Sequence, residues 1–147
     1  MTFDVFDRYR ALVLPDSVVG IRPEAQSSDY QAGLAAIDGE DWRIRTARVT
    51  PTKPGAFVAV WRRAADGGTE PFPASDPVAG LLVLVEDDDR FGAFRFTASH
   101  LASLGVTSGP GRPGLRGFRV YPSWCEGLNP QATRTQAAQA PAWTRLI

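Results

Sequence analysis

Phe3, Phe6, Tyr9, Leu12 and Val13 recur at helical spacing until Pro15 interrupts them, which predicts an amphipathic helix packed on a sheet. An extended stretch through Val18, Val19 and Ile21 follows. Residues 30–37 and 42–49 flank Asp38-Gly39-Glu40-Asp41, whose Asp-Gly pair marks a hairpin. In residues 56–62 both pleat faces are apolar, with Phe57, Ala59 and Trp61 alternating with Val58 and Val60, so this strand is expected to be central. The run Leu81-Leu82-Val83-Leu84-Val85 is the most buried strand candidate, and the acidic turn 86–89 leads from it into a strand over 91–96.

Thr97 or Ser99 is placed to cap a short helix that Gly105 ends, with Leu101 and Leu104 inward. Alternating glycine and proline make residues 109–114 a loop. A last strand over 118–121 meets Pro122, and the alanine- and glutamine-rich tail over 130–145 reads as helical up to Pro141. Neither a repeat nor a domain boundary appears, so residues 1–147 are expected to form one α/β (α+β) domain, a single mixed β-sheet flanked by helices.

Composition narrows the function classes. No run of about 18 apolar residues exists to span a membrane. The N-terminus lacks the basic start and apolar stretch of a secretion signal, so a cytoplasmic location is expected. One cysteine, Cys125, and one histidine, His100, provide neither an internal disulfide nor a zinc cluster. The formal charge is zero, but it is unevenly spread: residues 1–89 hold 15 acids and 9 bases, and residues 90–147 hold one acid and 7 bases. Between Arg43 and Arg63 lie six basic residues and no acid. If folding sets this segment beside Arg112, Arg116 and Arg119, one face becomes strongly positive. The alternative is a set of solvated arginines that the fold scatters.

Lys53 is the one lysine among 16 basic residues. A compact ammonium supplies a point charge for a phosphate, or an amine of adjustable basicity, that arginine does not. It sits in Thr50-Pro51-Thr52-Lys53-Pro54-Gly55, a stiff loop between two strands; an ordinary surface lysine is the competing reading. In residues 118–121, Arg119 and Tyr121 share one strand face, and Trp124 follows. Such a set either stacks a base and binds its phosphate or packs arginine over aromatic rings at a core edge. Asp87, Asp88 and Asp89 lack the alternate spacing of a calcium loop and read as a solvated turn. His100 and Cys125 have no partner nearby in sequence that would make either a catalytic group.

Several motifs recur together: Thr50-Pro51-Thr52-Lys53-Pro54-Gly55-Ala56-Phe57-Val58, Trp61-Arg62-Arg63, Phe91-Gly92-Ala93-Phe94 and Gly117-Phe118-Arg119-Val120-Tyr121-Pro122-Ser123-Trp124. Glu24 with Ser27-Ser28-Asp29-Tyr30 lies upstream, and Asn129, Gln131-Ala132 and Thr135-Gln136 downstream. Over nearly its whole length the chain resembles the MepB family of small bacterial proteins. The resemblance implies a restriction-endonuclease-like fold and a role facing DNA.

In such nucleases a metal is held by an acid at the start of one hairpin strand and by an acid two residues before a lysine on the next. By that pattern Asp29 takes the place of the first acid, Thr46 of the second and Arg48 of the lysine. Threonine cannot balance a divalent cation's charge, and arginine cannot act as a base at neutral pH. The resemblance thus implies binding without metal-dependent cleavage, and neither a metal nor another cofactor is expected. Arg45, Arg48, Lys53 and Arg119 would meet phosphates of DNA or another nucleic acid, with Glu24, Asp29, Tyr30, Tyr121 and Trp124 in the same basic cleft. A second reading is a small enzyme or ligand-binding protein in which Glu24, Tyr30, Lys53 and Arg119 surround an anionic small molecule. A third is an adaptor presenting Trp61, Trp124 or Trp143 in an exposed apolar patch.

Overall fold

A computed structural model of the chain describes residues 3–17, 19–26 and 28–147; Val18 and Ser27, both named above, lie outside them. In chain order its strands are β1 (Gly20–Pro23), β2 (Gly33–Ile37), β3 (Glu40–Thr46), β4 (Arg48–Val49), β5 (Ala56–Ala59), β6 (Arg62–Arg63), β7 (Thr69–Glu70), β8 (Gly80–Asp87), β9 (Arg90–Thr97), β10 (Gly117–Val120) and β11 (Trp143–Arg145). Three α-helices accompany them: α1 (Asp4–Val13), α2 (Ala98–Ser103) and α3 (Pro130–Gln139). The architecture is mixed α+β. A six-stranded sheet of order β1-β2-β3-β8-β9-β11 is antiparallel except at the parallel pair β3–β8, and a three-stranded sheet β10-β5-β4 and a two-stranded ribbon β6-β7 stand beside it.

The hydrophobic run 81–85 is continuous because β8 is covered on both faces. Leu82 and Leu84 join Phe6, Tyr9, Trp42 and Ile44 under α1, while Leu81, Val83 and Val85 join Val58, Phe94, Phe96 and Val120 under the small sheet. Each such side chain contributes about 1.5–3 kcal/mol when fully buried. At the expected hairpin, Asp38 and Gly39 have φ of 52° and 80°, the two left-handed residues that a type I′ turn requires. Thr97 caps α2 by accepting from the His100 N–H, and Gly105 follows the helix at φ 76°.

Two expectations change, and one strand is added. The N-terminal stripe is shorter than its spacing suggested: Val5, Phe6 and Tyr9 are buried, but Leu12 and Val13 are 50% and 40% exposed. The segment 56–62 is central only within the small sheet. Ala56, Val58 and Val60 face the core, whereas Phe57, Ala59 and Trp61 stay half-exposed, so its two apolar faces are not two buried faces. The tail is helical up to Pro141, as its composition implied: α3 runs directly into a 3₁₀ turn that holds Pro141. Trp143–Arg145, which the sequence assigned to no element, then pairs with β9 as the sheet's last strand. Gly92 permits that pairing, because a Cβ there would stand 2.2 Å from the Trp143 ring.

Candidate functional site

The basic segment 43–63 divides between the interior and one surface. Arg43 and Arg45 lie two residues apart on β3 and share its inward direction toward Glu24, which follows β1. Glu24 Oε1 accepts from Arg45 Nη1 at 2.6 Å, and its Oε2 accepts from Arg43 Nη1 at 2.6 Å. Arg43 also donates to Asp76 Oδ2 from Nη2 at 2.8 Å, and its guanidinium lies 3.6 Å above the centre of the Phe72 ring. Arg45 Nε donates to Gln26 Oε1, and its Nη1 also reaches Ile44 O.

Arg45 and Glu24 were expected in a ligand cleft. The structure instead makes them partners in a closed network: the Arg45 side chain is 0% exposed and that of Glu24 9%. Burial pushes the Arg45 guanidinium below its ordinary value, while the hydrogen bond and charge of Glu24 pull it back up. Two arginines and two carboxylates cancel, which is the arrangement a buried charge needs.

The other branch of the segment forms the outer face of the small sheet. In its register Arg48 stands opposite Phe57, and Phe57 opposite Arg119, so a half-exposed ring lies between two arginines in one row. The Phe57 ring leans over Gly117, where a Cβ would stand 2.6 Å from its tip. The edge of Tyr30 meets the same ring, with centroids 6.4 Å apart.

Arg119 Nη1 donates to Thr50 Oγ1 at 3.0 Å and to Pro54 O at 3.1 Å, both uncharged acceptors; no ion pair to Arg119 occurs among the described residues. Those two contacts tie β10 to the loop that carries exposed Lys53. Asp29 sets one carboxylate against this face, 3.8 Å from Arg48. Tyr121 packs beside the same loop: a Cβ on Gly55, at φ 80°, would stand 2.9 Å from its ring.

Fold topology therefore brings Asp29, Tyr30, Arg48, Arg119, Tyr121 and the Lys53 loop together. Trp124 lies elsewhere. It meets the Trp143 ring edge-on at 5.1 Å and carries Arg90 and Arg145 over its own ring, rather than flanking Arg119. Thr46 bonds to Gln31 Oε1. No group of three or more His, Cys, Asp or Glu side chains able to hold a metal occurs among the described residues.

Sequence reasoning missed Phe57, Thr50 and two buried glutamines. Phe57 was visible on the outward side of its strand's alternation, yet an apolar ring there reads as core. Gln26 donates to Ala59 O at 2.7 Å and accepts from the Trp61 N–H at 3.2 Å; Gln139 donates to Arg119 O at 2.9 Å and accepts from the Tyr121 N–H at 3.0 Å. Nothing local in the sequence signals either role.

A family model described as MepB-like matches residues 24–145, from Glu24 through β2 to β11. The chain belongs to the MepB-like family. The crystal structure of MepB aligns with it at a TM-score of 0.86 and 28% identity, covering 98% of this chain and 97% of that one. No curated protein matches. Among the described residues no helix is long and apolar enough to cross a membrane.

Proposed function

We propose that this MepB-like chain binds nucleic acid through the outer face of β4, β5 and β10. The observation that carries the reading is the row Arg48–Phe57–Arg119, a half-exposed aromatic ring flanked by two cations. A base stacks on such a ring whatever its identity, and the neighbouring guanidinium groups take the phosphates on either side. Lys53 adds a third positive charge at the rim, so three cations stand beside the carboxylate of Asp29. Cleavage is no part of the proposal, since by the nuclease pattern that the family resemblance implies Thr46 would take the second acid's place.

Fluorescence anisotropy with a labelled oligonucleotide at rising salt tests it. Affinity should fall steeply with salt, since each neutralised phosphate releases a counterion. Absence of binding at low salt, or binding indifferent to salt, rules the reading out.

A second reading, a small anionic ligand, is favoured by the cleft of about 570 Å³ between β10 and α3. Arg119, Tyr121, Asn129, Gln131, Arg134 and Thr135 contribute to its wall and no carboxylate does, but neither Lys53 nor Glu24 lines it. Replacing Arg134 by alanine separates the two, as it faces this cleft and lies outside the row on the sheet.

A further inference from the structure

The outer face does not stop at Phe57. β5 runs on through Val60, whose N–H donates to Arg116 O at 2.9 Å, so pairing with the β10 chain extends one residue past the strand's end. Burial alternates without a break from Phe57 to Trp61, with Val58 and Val60 inward and Phe57, Ala59 and Trp61 outward and half-exposed. Trp61 is therefore a second aromatic step on the same face. It too has a cation: the Arg63 guanidinium lies 5.0 Å from the centre of its ring, and Arg63 itself is exposed on the ribbon β6-β7. The ribbon is braced against the sheet, because Arg116 donates to Thr69 O from both Nε and Nη2 at 3.1 Å. Between the two positions on this strand lies Ala59, paired with Gly117, over which the Phe57 ring leans.

Resting on the nucleic-acid reading above, we infer that the ligand class is single-stranded nucleic acid, bound across two aromatic steps at Phe57 and Trp61. Paired bases keep their faces inside the duplex stack, whereas an unpaired base can pack against the half-exposed rings of Phe57 and Trp61, on Trp61 beside the Arg63 guanidinium. Four residues of extended chain separate the steps, about 13 Å at ~3.3 Å per residue. A stacked strand rises ~3.4 Å per nucleotide, so a ligand touching both steps is about five nucleotides long.

Affinities for a three-nucleotide and an eight-nucleotide oligothymidylate, and for a blunt duplex of eight base pairs, test this at one low salt concentration. The wild-type chain should bind the eight-nucleotide strand tighter than both other probes. The ratio between long and short strands should fall about tenfold in Trp61→Ala and persist in Trp61→Phe, which keeps a stacking ring. Arg63→Ala, on the exposed ribbon, should lower the same ratio and serves if Trp61→Ala does not fold. Equal binding of duplex and single strand, or a ratio unchanged in Arg63→Ala and in a folded Trp61→Ala, overturns the two-step inference while salt-dependent binding leaves the broader reading standing. If the wild-type chain binds none of the three probes, both fall together.

Discussion

Gln26 and Gln139 hold opposite edges of the three-stranded sheet by the same two-point pairing, each replacing a strand that is not there. Gln26 spans Ala59 O and Trp61 N on the edge of β5 that β4 leaves uncovered, and Gln139 spans Arg119 O and Tyr121 N on the free edge of β10. Both side chains are buried, at 3% and 2% exposure, so neither edge can turn to water if its glutamine is lost. Gln139→Ala should destabilise the chain by about 1–3 kcal/mol, the cost of leaving buried backbone groups unpaired. Gln139→Glu should also weaken it, because a carboxylate can accept from Tyr121 but cannot donate to Arg119. Urea denaturation of the variants checks both outcomes, and wild-type stability in Gln139→Ala contradicts the pairing.

The buried network predicts a larger effect. Glu24→Gln removes the carboxylate that both Arg43 and Arg45 use, and Arg45 has no exposed surface through which to recover solvation. Breaking a buried pair from one side costs about 3–5 kcal/mol, whereas replacing all its charged members by apolar groups is often neutral. Glu24→Gln should therefore be the most destabilising polar substitution in the chain, and Arg45→Met in the same background should restore part of the loss. Thermal melting of the single and double variants measures it; additive losses would contradict the coupling.

How far the sequence could be read follows from the range of the signals. Local ones worked: the Asp38-Gly39 turn, the Thr97 cap and the apolar run 81–85 each depend on a few consecutive residues, and each predicts its element. Burial of charge is not local. Arg45 and Arg48 read alike in a basic strand, and only the arrival of Glu24 on one side and Asp29 on the other sends the first into the core and leaves the second outside. Alternation placed Phe57 and Trp61 on one face but could not say that this face would stay half-exposed. Trp143–Arg145 carries too few residues for any periodicity, and pairs where Gly92 makes room.

Cys125 gives a prediction in pH. Burial raises its thiol above the ordinary value; a hydrogen bond from the Gly55 backbone and the charge of Arg90 oppose the shift and Asp87 adds to it. A raised value means less thiolate in the folded chain than in the unfolded one at pH 8. Alkylation by iodoacetamide at that pH should thus be slower in native buffer than in urea. The associated stability is present below the ordinary thiol range and is lost as pH rises through the folded value. Equal alkylation rates in the two conditions contradict the shift.

Asp29 offers a test whose sign separates binding from metal chemistry. Its carboxylate lies 3.8 Å from Arg48, both side chains are more than half exposed, and it brings a negative charge onto a face where phosphates are proposed to sit. Asp29→Asn should therefore tighten oligonucleotide binding at low salt. The gain should be modest, because an exposed pair is worth about 0.2–1 kcal/mol, or roughly 1.4- to 5-fold in affinity, and it should vanish as salt screens both groups. A metal-holding role predicts the reverse: asparagine in place of that acid would weaken any binding that depends on a divalent cation. Anisotropy titrations of wild type and Asp29→Asn, each with and without EDTA, decide between them. Tighter binding that EDTA does not alter fits a repelling charge, and weaker binding that EDTA reproduces in the wild type fits a metal ligand.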